Sequence, residues 1–183
     1  NLVIYDTSFA DLSRWQAVFT VTTEGAGFAL AWGKSTTSGL QYCAYGGEDK
    51  KIHIMEIRTK ERTWETVLAV KRDGEINDLD WNSDGLVAAA VSNGTVTILD
   101  LSYLQSGWAV HEMDYNWQRQ ALTCFTEIRR NKGKHSMSSV QWIPSDEKSV
   151  SFLAFGGSDG EVEIMDLSQR EKCKGFKQNS EMF

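Results

Sequence analysis

The chain has 183 residues, a formal net charge of −6 at pH 7, 41% hydrophobic and 24% charged residues, and a single proline. Its length is sufficient for one or two hydrophobic cores, and this balance of apolar and charged residues is typical of a folded protein and excludes a disordered one. The acidic balance gives no support for nucleic acid as a partner, and no apolar run is long enough to cross a bilayer, so membrane insertion is not expected.

The first predicted element is an alternating segment, Leu2–Asp6, that ends in an acidic residue. Alternation with a period of two residues indicates a half-buried β-strand. The same pattern returns three times further along the chain, at Ile52–Glu56, Val96–Asp100 and Val162–Asp166. Each later copy follows a polar turn, and the predicted structural residues of these turns are Asp49, Asn93 and Asp159.

Each turn is preceded by a short run of small apolar residues and, before that, by a segment of the form apolar–x–Trp. These segments end at Trp32, Trp81 and Trp142. Two alternating runs around an Asn–Gly or Asp–Gly turn are a strong signal for a hairpin, so each unit is predicted to be a β-meander. We expect the three tryptophans to pack in or near the core, because large aromatic side chains dominate such burial.

A further strand is predicted in front of each meander. Trp15–Phe19 and Trp64–Leu68 each begin 17 residues before the tryptophan of the next inner strand. In the third unit either Trp108 or Trp117 opens this strand, and the extra residues predict an insertion at about 113–135. Each unit therefore has four strands.

The repeats predict a division of the chain into blades. Residues 1–9 are predicted to be the last strand of a preceding blade. The predicted blades are residues 10–60, 61–103 and 104–169. Residues 170–183, which include the stub Cys173–Phe176, begin a further blade or form a tail. Four-stranded units of roughly 40 to 60 residues have the size of β-propeller blades.

These units resemble the WD-repeat β-propeller family across nearly the whole chain. The family often has Trp–Asp at the end of this alternating strand. The corresponding pairs in this chain are Tyr5–Asp6, Met55–Glu56, Leu99–Asp100 and Met165–Asp166. Its usual Gly–His pair before the inner strand is absent, since Thr23, Arg72 and Gly133 stand there. The resemblance implies an all-β propeller of four-stranded antiparallel blades, with three to four blades present. Propellers close with roughly four to eight blades, so we expect part of a larger propeller or one that a partner chain completes.

Three short motifs have structural interpretations. Gly156–Gly160 fits the Gly-x-Ser-x-Gly elbow of serine hydrolases, but the residues after it alternate as a strand, and the first unit has Glu48 in place of the serine. Asp80–Gly85 resembles the start of an EF-hand loop, but its twelfth position is Val91 and not Glu. Asn93–Thr95 is a glycosylation sequon that we interpret as a type I′ hairpin turn.

Cysteines and histidines show no metal-binding pattern. Cys43, Cys124 and Cys173 are widely spaced and form no Cys-x-x-Cys pair, which argues against a disulfide framework and a zinc site. The histidines show no ligand spacing, and His53 is expected to be solvated on the polar face of its strand. We predict no cofactor and no catalytic residue, and the sequence favours an intracellular setting, cytoplasmic or nuclear.

Basic residues form a cluster inside the predicted insertion. They are Arg129, Arg130, Lys132 and Lys134. Loops carried on a rigid scaffold are a common place for binding, so this cluster and Trp117 are candidate partner-binding residues, and the cluster fits an acidic surface or a phosphate. The alternative is a solvated loop that keeps neighbouring strands from pairing.

The resemblance implies a non-catalytic scaffold that mediates protein–protein interactions within a multiprotein complex. The alternative is a propeller with a ligand-binding or enzymatic site in its central channel, which requires several titratable side chains at the ends of the inner strands. The predicted inner strands offer acids only at Asp78 and Asp80. The sequence therefore favours the scaffold.

Overall fold

The computed structural model describes residues 1–7, 11–33, 41–58, 60–101, 125–129, 135–144 and 152–167. These ranges contain a short 3₁₀ helix, Leu12–Arg14, and no helix long and apolar enough to cross a membrane. The β-strands in chain order are β1 (Leu2–Asp6), β2 (Gln16–Val21), β3 (Gly27–Trp32), β4 (Gln41–Gly47), β5 (Lys51–Arg58), β6 (Thr63–Lys71), β7 (Ile76–Trp81), β8 (Leu86–Val91), β9 (Thr95–Asp100), β10 (Phe125–Arg129), β11 (Met137–Ile143), β12 (Phe152–Gly157) and β13 (Val162–Asp166).

The strands form antiparallel sheets in which neighbours along the chain are hydrogen bonded. We call them sheet I (β1 and β2), sheet II (β3 to β6), sheet III (β7 to β10) and sheet IV (β11 to β13). Sheets II and III have four strands each. The predicted all-β fold with four-stranded antiparallel blades is therefore confirmed.

Alternation along the strands gives sheets II and III two apolar faces. In sheet II, Ala44 and Ile54 pack towards sheet III, whereas Cys43 and Met55 point the other way and pack towards sheet I. All four side chains are fully buried. The core between sheets III and IV includes Leu86, Ala88, Ile98, Val140, Trp142, Leu153 and Phe155. Burial of these faces is the main force that holds the stack together.

The first strands of successive sheets lie next to each other. β7 contacts β3 on one side and β11 on the other. Each of these strands is the edge strand of its sheet. We call them the inner strands, and the arrangement matches the inner strands expected of a propeller.

The hydrogen-bonded sheets begin one strand later than the predicted blades, so the predicted boundaries after residues 9, 60 and 103 each cut a sheet. The strand that Trp64 opens is predicted to start the second blade, but it is part of β6, which pairs with β5 and completes sheet II. The strand after Trp15 likewise pairs with β1. The reason is the short connection: four residues separate β5 from β6, and strands joined by such a turn pair as a hairpin.

The fourth strand of sheet III lies inside the predicted insertion at about 113–135. This strand, β10, pairs with β9 from Phe125 opposite Leu99 to Arg129 opposite Thr95. Its β-branched residues favour an extended backbone over an irregular loop. The described strand begins at Phe125. Trp108 and Trp117, which were proposed to open the outer strand, lie outside the described residues, as does the stub 173–176.

The turn between β8 and β9 differs from the predicted type I′ turn. That turn needs positive φ at both Asn93 and Gly94, but of these two only Gly94 has one, at 85°. The result is a three-residue loop with a single left-handed residue, closed by a 3.0 Å hydrogen bond from the Gly94 N–H to the Val91 carbonyl. Lys50, with φ of 61°, and Gly160, with φ of 78°, take the same place in the other turns.

Candidate functional site

The turns that follow β4, β8 and β12 are each tied to the residue before the inner strand of the same sheet. In sheet III the Ser92 N–H donates to the Glu75 carbonyl at 2.9 Å, and the Ser92 hydroxyl accepts from the Glu75 N–H at 2.8 Å. In sheet IV, Ser158 and Ser136 make the same pair of bonds, at 2.9 and 3.2 Å. Ser158 is the serine of the Gly-x-Ser-x-Gly motif, and its oxygen accepts from a backbone amide, as the structural interpretation expects.

Sheet II contains the same pair of bonds with a glutamate in place of the serine. The Glu48 N–H donates to the Ala26 carbonyl at 3.0 Å, and the Glu48 carboxylate accepts from the Ala26 N–H at 2.9 Å. The three turns therefore lie at one end of the stack, which we call the turn end. Its backbone is fixed in the same way in each sheet.

The three predicted turn residues share one geometry at the turn end. In each, a side-chain oxygen accepts a 3.1 Å hydrogen bond from the backbone N–H two residues further on. This is the Asx turn that short Asp and Asn side chains form readily. The pairs are Asp49 with Lys51, Asn93 with Thr95, and Asp159 with Glu161.

His53 is not solvated as the alternation predicts. Its ring stacks on Tyr45 with centroids 4.4 Å apart and planes 5° from parallel, and its Nε2 lies 2.6 Å from the Asp49 carboxylate. Only 12% of the side chain is exposed. Burial is the main reason that the pKa of Tyr45 is raised. The prediction failed because the face of β5 that carries His53 is not polar, since it also carries Met55 and Ile57. The ring itself is covered by Tyr45 of β4 and by the Asp49 turn.

Two carboxylates on β7 link sheets III and IV. Asp80 accepts hydrogen bonds from the backbone N–H of Trp142 in β11, at 2.6 Å, and of Trp81 in its own strand, at 2.9 Å. The corresponding contacts of Asp78 are to the N–H groups of Leu79 and Val140, each at 2.9 Å, and to the hydroxyl of Ser139 at 2.7 Å. β7 and β11 are edge strands, and the carboxylates provide acceptors for amides on those edges.

Asn77 completes this link at the start of β11. Its amide nitrogen donates to the Met137 carbonyl at 2.6 Å and to the Ser136 hydroxyl at 3.0 Å. Sequence reasoning considered the acids of β7 only as members of a channel site and missed their role between sheets. The sequence signal for this role is that Asn77, Asp78 and Asp80 are polar. The equivalent positions of β3 are the apolar residues Phe28, Ala29 and Ala31.

A buried ion pair occupies the acidic end of β5. Glu56 is 1% exposed and accepts from the Arg58 guanidinium at 2.8 Å and from the Tyr42 hydroxyl at 3.2 Å. Burial, and then the nearby Glu56 carboxylate, raises the pKa of Tyr42 above its usual range. The hydrogen bond to Glu56 raises the pKa of Arg58. The acidic residue that stands where the WD family has Asp therefore anchors the strand end to two neighbouring side chains.

Arg129 is the described member of the candidate partner-binding set. It ends β10 opposite Thr95, next to the Asn93 turn, and its side chain is exposed. This places the start of the basic segment at the turn end. The other candidates, Arg130, Lys132, Lys134 and Trp117, lie outside the described residues.

Cys43 is a buried thiol in β4. Burial raises its pKa to about 12, so it stays protonated at neutral pH and is a poor nucleophile. Cys124 and Cys173 lie outside the described residues. In the part of the chain that the structure describes, no three His, Cys, Asp or Glu side chains are grouped closely enough to hold a metal ion.

Sheets stacked in chain order, with their first strands adjacent at an inner edge, define the chain as a segment of a WD-repeat β-propeller. The chain belongs to the family described as the anaphase-promoting complex subunit 4 WD40 domain, which matches residues 35–143, more than half of its length.

A solved structure has a similar fold. It is the crystal structure of Chaetomium thermophilum Sqt1 bound to the N-terminus of the ribosomal protein L10, with a TM-score of 0.56 and 16% sequence identity. The match covers 79% of this chain and 32% of that chain, so this chain spans about a third of the Sqt1 length. No curated protein matches the sequence.

Proposed function

We propose that the chain is a non-catalytic scaffold that mediates protein–protein interactions within a multiprotein complex inside the cell. Its family is named for a subunit of the anaphase-promoting complex, and an assembly of that kind is the setting we propose. The solved relative was crystallised with a protein segment bound, which supports a protein partner for this propeller as well.

The observation that carries the proposal is that the acidic side chains of β7 form hydrogen bonds between sheets. Asp78 and Asp80 are the acids that an inner-strand site would need, and both accept backbone hydrogen bonds that join sheets III and IV. Carboxylates engaged in this way stabilise the contact between blades and are poorly placed to act as general acids or bases. This supports a rigid platform over a channel enzyme.

The proposed binding residues are the basic segment that begins at Arg129, together with Trp117. β10 ends at Arg129, beside the Asn93 turn, so the segment is anchored on a strand of the rigid sheet III. Basic groups held on such a scaffold favour an acidic protein surface. Aromatic and arginine side chains are also the residue types that most often dominate the energy of an interface.

Affinity purification of the tagged chain from cells tests this proposal. The test variant reverses four charges with Arg129→Glu, Arg130→Glu, Lys132→Glu and Lys134→Glu. We expect at least one co-purifying protein to fall by about tenfold or more, because like charges then oppose the acidic partner.

The matched control reverses four exposed basic residues elsewhere on the chain. These are Lys50, Lys60, Arg62 and Lys71. The control should keep the partners of the wild type. An unchanged set of partners after reversal of the 129–134 charges would overturn the proposed site, and a detectable hydrolytic or transferase activity of the purified chain would overturn the scaffold itself.

A further inference from the structure

The turn between β8 and β9 contains an asparagine followed by a glycine, Asn93–Gly94. The backbone nitrogen of a residue can attack the side-chain Cγ of an asparagine that precedes it. A C–N bond then closes a succinimide ring, and the side-chain NH₂ leaves with the backbone proton as ammonia. Water opens the ring to aspartate or isoaspartate. Glycine hinders the attack least, because it has no Cβ atom, so this pair of residues is suited to deamidation.

The atoms that would react are engaged in hydrogen bonds in the folded turn. The Gly94 N–H, whose nitrogen is the nucleophile, donates to the Val91 carbonyl at 3.0 Å. The Asn93 Oδ1 accepts from the N–H and from the hydroxyl of Thr95, at 3.1 and 2.7 Å. Ring closure removes the Gly94 proton and bends the Asn93 side chain onto its own backbone. The bond to Val91 is therefore lost in the reaction, and the side chain has to be released from Thr95.

The same turn is held in place from two sides. Ser92 donates to the backbone of Glu75 at 2.9 Å and accepts from it at 2.8 Å. Gly94 lies against the chain before β11, since a Cβ added to it would lie 2.5 Å from the carbonyl oxygen of His135. Asn93 itself is exposed, so water reaches its side chain. Opening of the turn, and not access of water, is therefore the step that limits the reaction.

Aspartate at position 93 fits the geometry of this turn. Asp49 and Asp159 occupy the same place in the turns of sheets II and IV. Each of their carboxylates accepts from the N–H two residues further on at 3.1 Å, the same distance as for Asn93. Among the described residues, both hydrogen bonds of the Asn93 side chain are to its oxygen. The nitrogen that leaves as ammonia is therefore not needed to hold the turn.

We propose that Asn93 is a deamidation site, that the folded β8–β9 turn protects it, and that its aspartate product restores the turn. This site does not depend on the scaffold function. The product carries a new negative charge at the turn end, beside Arg129, the residue where β10 ends. A chain with aspartate at this place therefore differs from the original in surface charge and not in the path of its backbone.

Peptide mapping by mass spectrometry tests the site. The purified 183-residue chain and a synthetic peptide of residues 88–98 are kept at pH 8, and the mass increase from amide to acid is followed at Asn93. We expect Asn93 to convert at least about tenfold faster in the peptide than in the folded chain, because the peptide has no turn to open. Asn82 in the same digests of the chain is the internal control. Its Oδ1 is also held by two backbone N–H groups, at 2.9 Å, but serine follows it, so it should convert more slowly than Asn93.

A matched pair of variants tests whether opening of the turn limits the reaction. Ser92→Ala removes the hydroxyl that accepts from the Glu75 N–H and leaves the reacting atoms unchanged. It should raise the rate at Asn93 in the folded chain by about threefold or more, because the turn then opens more often. Ser158→Ala removes the same bond, to the Ser136 N–H, from the turn of sheet IV and should leave the rate at Asn93 unchanged. The unfolding transition of each variant checks that the fold is retained.

Two substitutions of Asn93 test the product. Asn93→Asp should have the urea midpoint of the wild type, because the carboxylate accepts from the Thr95 N–H as the amide oxygen does. Asn93→Ala should have a lower midpoint, because it removes that acceptor.

Equal rates in the peptide and in the folded chain would show that the turn does not protect Asn93, and no conversion in either would show that it is not a deamidation site. An equal effect of Ser92→Ala and Ser158→Ala would reject opening of this turn as the limiting step. A midpoint for Asn93→Asp as low as that for Asn93→Ala would reject aspartate as a residue that the turn accepts.

Discussion

Replacement of Asp80 by alanine should loosen sheet IV from sheet III. The substitution removes the carboxylate that accepts from the Trp142 and Trp81 amides at 2.6 and 2.9 Å. Each of these amides lies on the edge of a sheet, and no carboxylate replaces Asp80 as its acceptor. The apolar packing between the sheets stays in place, so the effect reports the hydrogen bonds.

The magnitude follows from the two bonds. A hydrogen bond to a charged group contributes about 1.5–3 kcal/mol. Asp80 is only half-buried, so water partly screens the carboxylate and can replace it, which favours the lower end of this range. We expect Asp80→Ala to lower the free energy of unfolding by about 2–4 kcal/mol. Asp80→Asn keeps one acceptor oxygen and should lose about half as much.

Urea denaturation followed by tryptophan fluorescence measures these changes, since Trp81 and Trp142 flank the site. Hydrogen exchange should speed up at the Trp142 amide more than at amides of sheet II. Asp84→Ala is the control, because Asp84 is an exposed acid in the turn after the same strand, and it should stay within about 0.5 kcal/mol of the wild type. If Asp80→Ala is no more destabilising than Asp84→Ala, the carboxylate does not hold the sheets together.

Four further predictions concern the turn end and the buried residues of β4. Lys50→Gly should raise the free energy of unfolding in urea by about 0.5–1 kcal/mol, because glycine adopts a φ of 61° without strain. Gly94→Ala should lower it by about 2 kcal/mol or more, since its Cβ would lie 2.5 Å from the His135 carbonyl oxygen at a φ of 85°; a neutral result would contradict the turn geometry. In a variant whose other two cysteines are serine, Cys43 should react with a thiol reagent at pH 8 only after unfolding, because burial raises its pKa to about 12. The pKa of Tyr42 is raised in the folded chain, so its protonated hydroxyl contributes fully to the free energy of unfolding below the unfolded pKa of about 10, and this contribution is lost as the pH rises beyond that value. Tyr42→Phe should therefore remove this part of the loss of stability at alkaline pH, which urea titrations at pH 9 to 11 measure.

The repeats made the fold predictable because each strand carries a period-two pattern that a buried sheet requires. Ile54 and Ile98 could be placed on one face from the sequence alone, and both are buried there. The pairing of the outer strands could not be read in the same way. The distance from Trp64 to Trp81 is compatible with β6 in either sheet, and only the turn after β5 decides it.

The contacts between sheets were beyond local sequence rules. Asp78 and Asp80 look like any two acids on a strand, and their partners in β11 are about 60 residues away. His53 was misjudged for the same reason, since its cover comes from Tyr45 on the neighbouring strand. Alternation predicts which way a side chain points, but it does not predict what lies opposite.

The one-strand offset between repeats and sheets has a consequence for gene rearrangement and for engineering. Duplicating or deleting residues 27–71 adds or removes a whole sheet with both of its apolar faces, whereas a cut after residue 60 separates β5 from its hydrogen-bonded partner β6. Breakpoints that preserve a foldable product therefore lie between β6 and β7 and between β10 and β11. Chimeras of WD40 proteins built on this chain should be joined at these two connections, and not at the ends of the sequence repeats.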